Sequence, residues 1–269
     1  MAKADLTQDY ENGAFIENAA AYPDKWADAA LAWRETENAV GRARLNLAYG
    51  QNERHKIDLF LPAGRPRGLM VFVHGGYWMK FDRKLWSHLA AGPCGAGWAV
   101  AMPSYTLAPQ ARISQITQEI AQSITFAATK VAGPIVLAGH SAGGHLVARM
   151  NCADVALDIG VAARIRAIAP ISPLCDLRPL MQTQMNATLG LDAAEAQLES
   201  PALAKGLRDI PTHIWVGAEE RPAFLDQARW LVESWPQTRC HIAPGRHHFD
   251  IIDMLLDPDS QVMRQLLQN

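Results

Sequence analysis

Pro134-Ile135-Val136-Leu137-Ala138-Gly139-His140-Ser141-Ala142-Gly143-Gly144-His145-Leu146-Val147-Ala148-Arg149-Met150 is the stretch on which the reading of this chain turns. An apolar run of strand length meets a Gly-x-Ser-x-Gly turn, and a helix-forming run follows. That order is the nucleophile-elbow pattern, in which a sharp strand-to-helix turn lifts a serine hydroxyl clear of a sheet. Gly139 and Gly143 remove side chains that would clash where the chain reverses, so the pattern has a steric reason. A second motif stands upstream, where Leu69-Met70-Val71-Phe72-Val73 runs into His74-Gly75-Gly76-Tyr77-Trp78. Acyl transfer needs two N–H donors aimed at one developing oxyanion. Ala142 would supply one, and the turn of Gly75, Gly76 and Tyr77 the other.

Elsewhere, apolar runs of strand length alternate with amphipathic segments. Ile57–Leu61 alternates like a half-buried strand and stops at Pro62. The further strand candidates are Leu69–Val73, Trp98–Met102, Pro134–Ala138, Ile165–Ile171, His213–Val216 and Arg239–Ala243. Asp82–Ala96, Ile113–Val131, Ala142–Ala153 and Pro222–Trp235 read as helical, and a helix-like run Phe249–Leu267 closes the chain. Wholly apolar strands alternating with helices predict an α/β fold with a mainly parallel central sheet covered by helices on both faces. At 269 residues and 49% hydrophobic, one α/β domain over residues 1–269 is expected. Residues 1–40 carry Trp26, Ala29, Ala30 and Trp33 at helical spacing and read as an N-terminal arm or lid. Residues 174–206, Leu174 to Gly206, break the rhythm and read as an insertion over the site.

Composition excludes several classes. A formal net charge of −2 with 19% charged residues gives no electrostatic case for nucleic acid or an anionic membrane. The polar, partly acidic opening Met1–Tyr10 has no basic segment followed by an apolar one, so no signal peptide is expected, and no run is long enough to span a bilayer. Cys94, Cys152, Cys175 and Cys240 show no C-x-x-C spacing and read as reduced thiols of a cytoplasmic protein. His140 and His145 are five apart, not the four that puts two ligands on one helix face, so neither metal nor cofactor is expected. The expected partner is a small-molecule substrate, and a homodimer is left open.

A serine hydroxyl needs a base, and the base a third group to hold its tautomer. Two late loops supply them in the required order. Gly217-Ala218-Glu219-Glu220 follows His213–Val216, and Pro244-Gly245-Arg246-His247-His248 follows Cys240–Ala243. His248 is taken as the base, with His247 as its alternative. Glu220 leads Glu219 as the acid, and Asp176 after Ile165–Ile171 stands third.

With these motifs in hand, the chain resembles the α/β-hydrolase superfamily from about Tyr49 onward. More narrowly it resembles the arylformamidase (kynurenine formamidase) group of the hormone-sensitive-lipase-like branch. The markers are His74–Trp78, Tyr105-Thr106-Leu107-Ala108-Pro109, Gly139–His145, Ile171–Leu180 and His248-Phe249-Asp250-Ile251-Ile252. Related esterases usually carry a third glycine after His74-Gly75-Gly76, and animal enzymes often hold aspartate where Glu220 stands. The resemblance implies the α/β-hydrolase fold, triad roles for Ser141, His248 and Glu220, and hydrolysis of N-formyl-L-kynurenine. The alternative is a general carboxylesterase for short-chain acyl or aryl esters. A non-catalytic module is disfavoured, because all three triad residue types are present. Tyr77 and Trp78 would either stack on an aryl group or pack the loop, and an arginine or backbone N–H of the Leu174–Gly206 insertion would hold a substrate carboxylate.

Overall fold

Eight strands form one sheet in the order β1-β2-β4-β3-β5-β6-β7-β8. They are β1 Ala43–Ala48, β2 Lys56–Phe60, β3 Leu69–Val73, β4 Ala99–Pro103, β5 Ile135–His140, β6 Ile165–Ile171, β7 Thr212–Gly217 and β8 Thr238–Ala243. The structure is a computed structural model and describes residues 5–267. β2 pairs antiparallel with both β1 and β4, and every other pairing is parallel. Each side of a strand faces a different packed layer. Leu69, Val71 and Val73 of β3 join the layer containing the helices Ile113–Ala128 and Ala142–Arg149. Met70 and Phe72 join the opposite layer with Trp26, Trp86 and the last helix, Gln261–Leu267. Burial on both faces is why these strands read as continuous apolar runs instead of alternating ones.

Four expectations are corrected. Ile57–Phe60 is wholly buried rather than half-buried. Asp58 lies in the interior, paired with Arg34 at 2.5 Å and Arg83 at 3.1 Å, so its polarity marked an internal ion cluster and not a solvent face. The edge strand β1 was absent from the sequence reading. Its inward Ala43, Leu45 and Leu47 alternate with exposed residues, and a register shift between Arg44 and Leu47 disturbs the period. Finally, Phe249–Leu267 is not one helix. A 3₁₀ turn Ile251–Leu255 and the helix Gln261–Leu267 are separated at Asp257-Pro258, because proline disfavours a helical residue before it. Asp82–Ala96 likewise divides into a 3₁₀ stretch, Arg83–Ala90, and a short α-helix, Ala91–Gly95.

Of residues 1–40, Met1–Ala4 lie outside the described residues. The helix Tyr22–Ala39 packs on Arg83–Ala90 through Trp26, whose ring stands 4.7 Å from that of Trp86, and through Ala30, while Ala29 faces solvent. The segment before it crosses toward the carboxyl edge of the sheet. Leu6 N–H donates to Gln182 O, and Gln227 Nε2 donates to the Tyr10 hydroxyl, each at 2.9 Å. Residues 174–206 form short turns and helices, Arg178–Gln182, Asn186–Leu189, Ala193–Leu198 and Pro201–Leu203.

Candidate active site

Register aligns the carboxyl ends of the central strands. Val73 pairs with Gly139, and His140 with Ile171. The chain then reverses at Ser141, with φ 56° and ψ −118°, outside the usual regions for a side-chain-bearing residue. Neighbouring backbone holds this strain. Ser141 N–H donates to Ile171 O at 2.8 Å, and His145 N–H to Ser141 O at 3.0 Å. A Cβ on Gly143 would lie 2.0 Å from Val73 O, and one on Gly139 would lie 2.2 Å from Gly143 O. Both glycines are therefore steric requirements of the turn. Ser141 itself is almost fully buried, at 2% exposure.

The β7 and β8 loops bring His248 and Glu220 to the same edge. Glu220 Oε2 accepts from His248 Nδ1 at 2.7 Å, across an interface buried on both sides. Its other oxygen accepts from Gly217 N–H at 2.9 Å and from the Ser172 hydroxyl. The carboxylate is thus satisfied by three donors, and the imidazole is held with Nδ1 as the donor. His140 braces the other side, with Nε2 donating to His248 O at 2.8 Å and ring centroids 4.7 Å apart. Burial and the neighbouring His248 hold His140 well below the ordinary histidine range, so it is a neutral ring. Ser172 escaped the sequence reading as a partner of Glu220. Its only sequence signal is its place directly after β6, the analogue of the Ser141 position after β5.

The alternatives are placed elsewhere. His247 Nδ1 accepts from the N–H groups of Phe249 and Asp250, and its Nε2 meets Tyr22 Oη at 3.1 Å. Glu219 is exposed, and Asp176 is locked to Arg178 at 2.6 Å on the wall of a separate cavity. None of the three meets Ser141.

The His74-Gly75-Gly76 turn follows β3. Gly76 (φ 110°), Tyr77 (51°) and Trp78 (56°) are all left-handed. His74 is neutral, pushed down to about 4 by burial, and its Nδ1 donates to Gly75 O at 2.8 Å while the ring stacks on Tyr105. The N–H groups of Gly76 and Tyr77 bond to no backbone carbonyl among the described residues, and Ala142 opens its helix, where N–H groups lack intrahelical partners. A Cβ on Gly75 would approach His140 O to 2.9 Å, so glycine lets this turn lie against the elbow.

Of the two roles open to it, stacking on substrate or packing the loop, Trp78 takes the second. It is fully buried, edge-on to His145 at 5.1 Å, and inside the core. Tyr77 does border the site, but its hydroxyl is tied to Tyr10 O and Asn12 Nδ2. Ser141, His140 and His248 face a cavity of about 240 Å³. Its aromatic wall comes from Tyr10, Trp26, Tyr77, Phe81, Trp86 and Phe249, of which Tyr77 alone was among the expected site residues. The insertion contributes Met185 and no arginine, since Arg178 is held by Asp176 away from this cavity. Such an arrangement brings to one cavity a serine on a strained turn, an imidazole held at Nδ1 by a carboxylate, and a glycine turn whose N–H groups bond to no backbone carbonyl among the described residues.

Comparisons with known proteins agree with this fold. A family model described as alpha/beta hydrolase fold matches residues 70–234. A kynurenine formamidase of Salmo salar is 26% identical over 249 residues, spanning 87% of this chain and 84% of that protein. Its counterpart in Drosophila melanogaster is 28% identical, spanning 87% and 83%. Among solved structures, a candidate thioesterase from a Silicibacter species superposes with a TM-score of 0.95 at 55% identity, covering 98% of this chain and 99% of that one. Esterase B of Lactobacillus rhamnosis superposes with a TM-score of 0.66 at 18% identity over 91% and 90%, a likeness of fold alone.

Proposed function

This chain belongs to the α/β-hydrolase family and is a hydrolase, and from that premise we propose that it is a serine hydrolase cleaving the formamide of N-formyl-L-kynurenine to L-kynurenine and formate. What supports the serine mechanism is that Ser141, His248, Gly76 and Tyr77 line one cavity, with His248 Nδ1 held by the buried Glu220 at 2.7 Å. The substrate rests on likeness to kynurenine formamidases over 87% of the chain.

In this reading His248 Nε2 takes the Ser141 proton as Oγ bonds to the formyl carbon. The oxyanion lies against the N–H groups of Gly76, Tyr77 and Ala142, where preorganised donors contribute most in a water-poor site. As the C–N bond breaks, His248 passes its proton to the aryl nitrogen, and kynurenine leaves. Water, deprotonated by His248, then attacks the formyl ester, releasing formate and restoring the serine. Glu220 holds the imidazole and stabilises its cation throughout. The four cysteines form no disulfide, which supports a cytoplasmic setting, and among the described residues no helix is long and apolar enough to cross a membrane.

A second reading, a carboxylesterase for short-chain acyl or aryl esters, uses the same groups. The 55%-identical solved relative, described as a candidate thioesterase, puts thioesters in the same assay. The test compares N-formylkynurenine with formyl, acetyl and butyryl aryl esters and with acetyl thioesters. Expected are the highest kcat/KM on N-formylkynurenine and a steep fall from acetyl to butyryl. Ser141→Ala should lower every turnover by ~10⁶-fold while the protein stays folded. Preference for butyrate or hexanoate esters, with N-formylkynurenine untouched, overturns the formamidase reading in favour of the esterase.

A further inference from the structure

Most of the cavity wall over Ser141 is apolar or aromatic, which suits an aryl ring. Two residues of full charge also line it, and they are opposite in sign. Glu11 comes from the N-terminal segment, and Lys80 from the turn that follows His74-Gly75-Gly76. Both are exposed, and among the described residues neither forms an ion pair or a side-chain hydrogen bond. Nearby charges are matched. Arg178 is held by Asp176 at 2.6 Å, and the Arg221 guanidinium lies 3.6 Å over the Phe15 ring, away from this cavity.

The Glu11 carboxylate lies beside Gly13. Its Oε1 lies 3.5 Å from where a Cβ on Gly13 would sit, and Gly13 is itself part of the wall. Its negative charge also reaches Tyr77, adding to the burial that raises that phenol. A cation and an anion left without protein partners on one small cavity form a pair of vacant electrostatic contacts of defined sign.

We propose that Lys80 and Glu11 form a subsite for the zwitterionic tail of an α-amino acid, the ammonium of Lys80 taking the carboxylate and the carboxylate of Glu11 taking the α-ammonium. The inference rests on the proposed function for the identity of that amino acid. N-formylkynurenine carries both charges on a short chain from its aromatic ring, whereas a simple aryl ester carries neither. The subsite therefore separates a substrate with a free amino-acid tail from a neutral aryl compound cleaved by the same serine. Lys80 stands in for the arginine or backbone N–H of the Leu174–Gly206 insertion expected from sequence, since Arg178 is held by Asp176 away from this cavity.

The test uses a matched pair, N-formyl-L-kynurenine and N-(2-acetylphenyl)formamide, which lacks the amino-acid tail. The quantity read is the ratio of their kcat/KM values. A charge-assisted contact at a partly solvated rim is expected to change the ratio by about tenfold for Lys80→Met and about threefold for Glu11→Gln. The loss should fall in KM, and Lys80→Arg should keep most of the wild-type ratio. If the wild-type enzyme shows no preference for the tailed member, or if Lys80→Met and Glu11→Gln leave the ratio unchanged, the subsite is overturned. If neither formamide is cleaved, the formamidase reading fails on its own. The subsite is then read from the acetate ester of ortho-tyrosine against 2-methylphenyl acetate, with the same expected ratios and the same refuting result.

Discussion

Replacing Glu220 by glutamine removes one charge, keeps the side-chain shape, and tests the proposed roles more sharply than truncation. Oε1 of the native carboxylate faces two donors, Gly217 N–H at 2.9 Å and the Ser172 hydroxyl, while Oε2 faces His248 Nδ1 at 2.7 Å. A glutamine has one acceptor oxygen and one NH₂ group for these two positions. Gly217 N–H cannot rotate away, so the oxygen belongs at the Oε1 position and the NH₂ group points at His248. The imidazole must then accept at Nδ1 and carry its proton on Nε2, the nitrogen that should remove the Ser141 proton. Nothing else in the site need move.

Where an orienting carboxylate becomes its amide, the wrong tautomer and the lost stabilisation of the imidazolium lower kcat by ~10⁴, about 5.4 kcal/mol of barrier. Glu220→Asp keeps the charge but withdraws it by about one bond length, and a loss of ~10–100-fold is expected. The assay is kcat on a chromogenic aryl acetate, with the thermal midpoint recorded for each variant. A folded Glu220→Gln enzyme that keeps more than about a tenth of wild-type kcat would refute the tautomer argument. So would an aspartate variant slower than the glutamine one.

Other outcomes follow from the same geometry. His248→Ala should reduce kcat nearly as far as Ser141→Ala, while His247→Ala should lose much less, because His247 orders the Phe249–Asp250 turn and meets Tyr22 Oη instead of Glu220; reversed severities in the same assay would transfer the base role. Gly143→Ala drives a methyl to 2.0 Å from the Val73 carbonyl, and since both partners are backbone a loss of more than about 3 kcal/mol is expected in denaturant titration. Stability should also fall with acid. His74 and His88 are pushed down to about 4 and His145 to about 3, burial being the main cause in each, so they stay neutral in the folded protein while the unfolded chain protonates near 6.5. The folded pKa values are depressed, so this stability is complete above about pH 6.5 and is lost as pH falls toward 4 and 3. The slope approaches about 1.4 kcal/mol per pH unit per histidine, and equal denaturation midpoints at pH 7 and pH 5 would contradict it.

What was legible in the sequence were features that depend on near neighbours. Leu69–Val73 and Ile165–Ile171 match their observed strands to the residue, because burial on both faces demands apolar runs, interrupted in β6 by the exposed Arg166 near its start. The elbow was legible because its glycines meet requirements only a few residues away. Gly143 is the partial exception: its obstacle is Val73 O on another strand, yet the position is written into the Gly-x-Ser-x-Gly spacing.

The remainder depended on directions set by distant packing. Adjacent histidines in one loop have equal sequence credentials. His248 turns to Glu220 and His247 to Tyr22 because the β7 loop and the N-terminal helix approach from opposite sides. Trp78 and Tyr77 are likewise adjacent, and one lies in the core while the other borders the cavity. The cavity wall itself joins residues far apart in the chain, Glu11 and Trp26 with Lys80, Met185 and Phe249. Local periodicity determined strands, elbow and chain order, because steric and hydrophobic demands act over a few residues. Which of two neighbouring side chains faces the serine, and which charges share its cavity, was decided by contacts between segments that only the folded sheet brings together.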